Sequence, residues 1–189
     1  MERLRTFVAV EIGKAIRKRF GALEEELKQA GGDVRWVEVE NAHVTLKFLG
    51  HVDYADIPQV DDVIHGAVTG LEPFCIKFRG VGAFPRPERP RVIFAGIQDG
   101  SGGLTKINAG LEQGFSEKLG IKKEGRGFSP HLTLGRVRSQ KGIASLVELM
   151  GKHSADDFGE ELVTSVVLMQ SQLSSKGPTY IKLNSFDLE

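Results

Sequence analysis

Two periods of hydrophobic residues alternate along this chain. Lys14 to Ala30 carries Ile16, Phe20, Leu23 and Leu27 at spacings of three and four, which predicts an amphipathic helix closed by Gly31-Gly32. Before and after it, Arg3 to Ile12, Val34 to Val39 and His43 to Leu49 have the composition and alternation of strands. A second helix is predicted over Asp53 to Val68, entered past Pro58 in its early turns. Phe74 to Val81 and Arg91 to Ile97 read as strands joined by the Pro- and Arg-rich loop Phe84 to Pro90. The pattern then restarts: helix over Leu104 to Leu119, strand over His131 to Val137, helix over Ile143 to Met150, and strands over Leu162 to Leu173 and Tyr180 to Leu188. This mixture of antiparallel strands and helices predicts an α+β fold with helices covering sheet faces.

One local pattern occurs twice. His43-Val44-Thr45-Leu46 and His131-Leu132-Thr133-Leu134 share the string His-x-Thr-Leu. In shuffled sequences of this composition, two such strings among five histidines arise about once in ten thousand trials. Each half of the chain thus supplies one His and one Thr, on a strand. Side chains alternate across a strand, so His43, Thr45 and Lys47 are predicted on one face and Val44, Leu46 and Phe48 on the other. His131 and Thr133 likewise face away from Leu132 and Leu134, and strict alternation aims Arg136 at the apolar side. Two imidazoles can carry a general base and a general acid near neutral pH, and two threonine hydroxyls can donate to phosphoryl oxygens between them. That chemistry suits in-line phosphoryl transfer and calls for neither metal nor cofactor. His51, His65 and His153 have no partners at zinc-ligand spacing and are expected in solvated or capping roles.

Composition narrows the partners. With 189 residues, 25 basic and 25 acidic, the chain is expected to form one bilobal domain over 1–189 and to bind any nucleic acid through a local basic patch. A single cysteine excludes an intramolecular disulfide and fits a reducing, cytoplasmic setting. No apolar stretch is long enough to span a bilayer, and Met1-Glu2-Arg3 does not open a secretory signal, so no membrane partner is expected.

The sequence resembles the two-histidine (2H) phosphoesterases, and within them the RNA 2′,3′-cyclic phosphodiesterases, also called 2′-5′ RNA ligases. The likeness is carried by Arg5 to Val10, by Trp36-Val37 with His43 to Gly50, by Gly82 to Pro85 leading to Arg89 to Ile93, by Phe128 to Arg136, and by Leu168 to Ser171 with Gly177-Pro178 and Tyr180. It implies two similar lobes, each an antiparallel sheet backed by helices, flanking a central cleft floored by His43, Thr45, His131 and Thr133. It also implies hydrolysis of RNA 2′,3′-cyclic phosphate ends, tRNA fragments among them, to 2′-phosphomonoesters by a monomer. A reverse 2′-5′ ligation is the weaker family activity. The resemblance assigns His43 as acid toward O3′ and His131 as base toward water.

Arg126, in the loop Gly125-Arg126-Gly127 ahead of His131, is the preferred phosphate contact, with Lys47 and Arg136 as further basic candidates. Phe48 is a candidate for stacking on a base, although alternation places it among core residues. Three other functions stand beside this one. A phosphodiesterase on a small cyclic phosphate, such as ADP-ribose 1″,2″-cyclic phosphate, would need a closed pocket. An RNA-end binding module would keep the His-x-Thr face without turnover. A metal hydrolase would lose its activity to a strong chelator.

Overall fold

The computed structural model describes residues 2–100, 102–174 and 177–189. Strands are β1 (Arg3–Glu11), β2 (Val34–Trp36), β3 (His43–Asp53), β4 (Phe74–Phe84), β5 (Val92–Gln98), β6 (His131–Val137), β7 (Asp157–Val163), β8 (Ser165–Ser174) and β9 (Gly177–Asp187). Helices are α1 (Lys14–Gln29), α2 (Ile57–Val68), α3 (Gly103–Leu119) and α4 (Ile143–Lys152). The predicted α+β class holds. The predicted end of the second strand, at Val39, instead opens a short 3₁₀ turn over Val39–Asn41. The span predicted as one strand from Leu162 is two, because β7 ends at Val163 and β8 begins at Ser165.

The strands form a single antiparallel sheet in the order β7-β4-β5-β6-β3-β1-β8-β9, with β2 paired to the outer part of β6. It falls into two groups of four strands, β7-β4-β5-β6 and β3-β1-β8-β9. Between them β6 and β3 share one backbone pair, Val44 with Leu132. The two groups are not the two halves of the chain. One is built from both ends of the sequence and the other from its middle, because β1 pairs with β8 across Thr6 and Gln170.

Helices α2 and α3 pack on the group that contains β3, and α1 and α4 on the group that contains β7. Their apolar stripes face inward as the periodicity requires: Ile16, Phe20, Leu23 and Leu27 of α1 and Leu104, Ile107, Leu111 and Phe115 of α3 are all buried. Phe20 meets Phe78 edge-on, with centroids 5.4 Å apart, and Phe158 at 5.3 Å, tying α1 to β4 and β7. One continuous apolar core underlies both groups.

β4 runs past its predicted end through a bulge between Phe78 and Val81. Gly80 takes φ +72° there, and a Cβ on it would lie 2.4 Å from the Ser154 carbonyl oxygen. The turn that fills this space is clasped by His153. Its Nδ1 reaches Asp156 at 2.7 Å and its Nε2 reaches Glu26 of α1 at 3.2 Å. Neither carboxylate is expected from the sequence, and Glu26 arrives through the fold from 127 residues away. Both bonds need both ring nitrogens as donors, the imidazolium form. Burial pushes the His153 pKa down, but the bonds to Asp156 and Glu26 outweigh it and leave it raised. Its stabilisation is therefore present in full below about pH 6.5 and lost as pH rises through the raised native value. Thermal unfolding of His153→Gln should lose this part of the pH dependence between mildly acidic and alkaline buffer; an unaltered pH slope would refute the clasp.

Candidate active site

The pair Val44–Leu132 fixes the geometry of the site. Continuing its antiparallel register by one residue each way sets His43 opposite Thr133 and Thr45 opposite His131. The four side chains predicted to act together thus come together, in a diagonal arrangement related by a pseudo-twofold axis through the bridge. Val44 and Leu132 are completely buried beneath them, while the four polar residues are half-buried on the opposite face.

Each imidazole is held in the same manner. His43 Nδ1 donates to the Asn41 carbonyl at 2.7 Å, and His131 Nδ1 donates to the Ser129 carbonyl at 2.8 Å. A carbonyl only accepts, so the proton of each neutral ring sits on Nδ1 and Nε2 is left for a ligand. Each ring also packs against two aromatic side chains. Phe7 and Tyr180 lie beside His43 with centroids at 4.7 and 5.0 Å, and Phe84 and Phe94 lie beside His131 at 5.0 and 5.4 Å. Burial lowers the His43 pKa, the Asn41 carbonyl opposes the shift, and the nearby Arg17 guanidinium reinforces it. Arg17 is itself tied to the Ile12, Val39 and Glu40 carbonyls.

Both motifs end in a β-bulge at their leucine. Thr45 pairs with Ala9 but Lys47 with Val8, leaving Leu46 as the extra residue. Thr133 pairs with Phe94 but Gly135 with Ile93, leaving Leu134 extra. A bulge resets alternation, because two successive residues occupy one pleat position. Lys47 therefore does not share the face of His43 and Thr45: it is 1 % exposed and ion-paired to Glu112 of α3 at 2.8 Å. This corrects its assignment to the anion-binding patch. Phe48 moves the other way, to the imidazole side. It is 51 % exposed and meets Phe7 with centroids 5.8 Å apart. Arg136, five residues after His131 as Phe48 is after His43, pairs with Val92 beside Phe94 and so joins the His131 face.

Tyr180 of β9 lies where the two strand groups approach each other. Burial raises its pKa, and the positive fields of Arg136, Arg5 and Arg35 oppose that rise. Arg35 is paired opposite Arg136 on β2 and β6. Arg5 donates to Ser171 at 3.1 Å, and none of the three has a carboxylate within ion-pair distance among the described residues. Arg126 stands exposed in the loop before His131, also without an ion pair among those residues. A cavity of about 200 Å³ opens beside His43, bordered by Glu11, Glu40, Tyr180 and Lys182. His51 is exposed on β3, eight residues after His43 and paired with Arg5, and His65 is exposed on α2.

The profile of the 2′-5′ RNA ligase superfamily matches residues 13–174. This chain belongs to that superfamily. It is 34 % identical over 186 residues to an RNA 2′,3′-cyclic phosphodiesterase of Methanothermobacter thermautotrophicus, covering 98 % of this chain and all of that one. A protein of the same name from Archaeoglobus fulgidus is 37 % identical over 97 % of this chain and all of its own. Among solved structures, TT0787 of Thermus thermophilus superposes with a TM-score of 0.82 at 27 % identity, covering 97 % of both chains. LigT of E. coli in complex with 3′-AMP shares the fold, with a TM-score of 0.79 at 23 % identity over 99 % of both chains.

Against the superfamily's shared frame, the residues missing from the sequence-derived site are the supports: Phe7, Phe84, Phe94 and Tyr180 around the imidazoles, and Arg5 and Arg35 near Tyr180. Three of the four aromatics lie in the segments that carry the resemblance, but nothing local gives their partners, since the strands that bring them together are far apart in sequence. Gly135 is a further structural requirement of the second motif. A Cβ there would lie 2.8 Å from Val34 Cγ1 and 3.0 Å from Trp36 Cε3. Gly135→Ala should overpack β2 against β6 and cost about 1–3 kcal/mol. Urea unfolding measures this, and an unchanged midpoint would show that β2 can give way.

Proposed function

We propose that this protein hydrolyses RNA 2′,3′-cyclic phosphate ends to 2′-phosphomonoesters without a metal, tRNA fragments among its substrates, and that it can run the reverse 2′-5′ ligation. The observation that carries the proposal is the crossed pair of imidazoles. Each has its Nδ1 fixed on a backbone carbonyl two residues before it, and the Thr of one motif lies opposite the His of the other. The relatives' shared name, RNA 2′,3′-cyclic phosphodiesterase, supports the substrate class.

In the hydrolytic direction, His131 Nε2 takes a proton from water as the water oxygen attacks phosphorus in line. The P–O3′ bond breaks, and protonated His43 gives its proton to O3′, leaving the phosphate on O2′. Thr45 and Thr133 donate to the non-bridging oxygens, where negative charge gathers in the transition state. In ligation a 5′-hydroxyl takes the place of water: His131 takes its proton as it attacks phosphorus, the P–O3′ bond breaks and O3′ again receives the proton of His43. Only in cleavage of the 2′-5′ bond do the roles exchange, with His43 taking the proton of O3′ as it attacks and His131 protonating the departing O5′. Arg136, Arg126, Arg5 and Arg35 supply positive charge for the phosphates of the strand, and exposed Phe48 offers a face to a base. This open basic surface favours an RNA end over a small cyclic phosphate held in a closed pocket.

His43→Ala and His131→Ala should each lower turnover of an oligonucleotide 2′,3′-cyclic phosphate by about 10²- to 10⁴-fold. The wild-type product should carry a 2′-phosphate, and activity should survive a strong chelator. A 3′-phosphate product would reverse the leaving group, and loss of activity to the chelator would install a metal hydrolase in its place.

The lowered pKa of His43 sets a limb of the pH–rate profile. An acid acts only in its protonated form, so with His43 as acid the residual rate of His131→Ala should fall as pH rises through a value below the ordinary histidine range. A rise over that interval would make His43 the base in hydrolysis.

A further inference from the structure

The buried pair Lys47–Glu112 has no place in the proton transfers, yet it connects the strand of the first motif to the approach of the second. Asn108 and Glu112 stand one turn apart on α3 and face the bulge of β3 together. Asn108 Nδ2 donates to the carbonyl of the extra residue, Leu46, at 2.9 Å. Glu112 Oε1 accepts from Lys47 Nζ at 2.8 Å, and the same ammonium reaches the Lys122 carbonyl at 3.4 Å. The second carboxylate oxygen, Oε2, accepts the Glu124 amide at 3.0 Å. One carboxylate thus holds β3 with one oxygen and, with the other, the segment between α3 and β6.

That segment has neither helix nor strand from Gly120 to Pro130, and it carries Arg126 and Phe128 to His131. Its tethers are the Ile121 amide on the Phe115 carbonyl, then the Lys122 and Glu124 bonds to Lys47 and Glu112. From Gly125 to Phe128 no hydrogen bond to the rest of the protein follows among the described residues. Arg126 is thus held between the Glu124 anchor two residues before it and Phe128, which packs on the core two residues after it. We infer that Glu112 and Lys47 are positioning residues that hold the Arg126 loop in register with the His43 strand, so that an RNA phosphate meets Arg126 when its cyclic end lies between the imidazoles. The inference rests on the proposed action on RNA ends.

Glu112→Gln tests it. A glutamine keeps the volume and can still accept from Lys47, but its amide nitrogen then confronts the Glu124 N–H, donor against donor. Glu124→Pro, on an exposed residue, removes the same bond without touching the buried pair and serves if Glu112→Gln does not fold. In either variant KM for a cyclic-phosphate oligonucleotide should rise roughly 3- to 30-fold, with kcat within about twofold of wild type. Combined with Arg126→Ala, the rise should be no larger than Arg126→Ala alone produces, because the anchor acts through that arginine. Additive KM effects, or a loss confined to kcat, would overturn the inference. Amide hydrogen exchange at Glu124 gives a readout that needs no substrate. Protection of this amide should fall in Glu112→Gln, and unchanged protection would overturn the tether even if the enzyme proved active on RNA. Conversely, lost protection with no cyclic-phosphate turnover by the wild type would leave the anchor standing and reject the functional proposal instead.

Discussion

A single backbone pair, Val44 with Leu132, holds the geometry of the site. Two buried apolar residues meet at the seam of the sheet, and the polar residues on either side of each have no other way to be placed but crosswise. The seam is short for a physical reason. Both strands bulge at the leucine that follows their threonine, and a bulge bends its strand and sharpens its twist. β3 and β6 touch where the motifs are regular and diverge where the bulges begin. The divergence opens the cleft, and the bulge buries the two leucines beneath it.

The twofold likeness stops at the side chains that touch the two rings. His43 sits against Phe7 and Tyr180 with Arg17 close behind it, whereas His131 sits against the stacked pair Phe84 and Phe94, whose centroids are 4.3 Å apart. Arg17 is held by three carbonyls and cannot swing away to neutralise a phosphate. It acts on His43 as a fixed positive charge. Two rings with the same kind of backbone partner therefore stand in different surroundings, His43 with a fixed positive charge behind it and His131 against a stacked aromatic pair.

Much of this was legible in the residues. The inward stripes of α1 and α3 follow their apolar spacing, and the four motif residues lie where alternation places them relative to Val44 and Leu132. Alternation failed one step later, at Lys47, Phe48 and Arg136, because a bulge shifts the count by one and leaves no mark in a string such as Thr-Leu-Lys-Phe. The sense of each error is the same, which identifies the cause. Strand β7 escaped notice for another reason: Asp157, Glu160 and Glu161 give this edge strand the charge of a loop, and edge strands tolerate charge that blocks further pairing. The assignment of strands to the two groups lay out of reach, since it depends on pairing between remote segments.

That remote pairing governs how the molecule comes into being. β4, β5, β6 and β7 can meet as soon as the middle of the chain is available, but β1 waits for β8, and the ring of Tyr180 beside His43 arrives only with β9. Contacts between distant segments close slowly, because the loop entropy is lost before the contact compensates for it. During synthesis from the N-terminus, the His131 side is thus assembled while the His43 side still lacks two of its four strands, and the surroundings of the two imidazoles are complete only once β9 has joined the sheet.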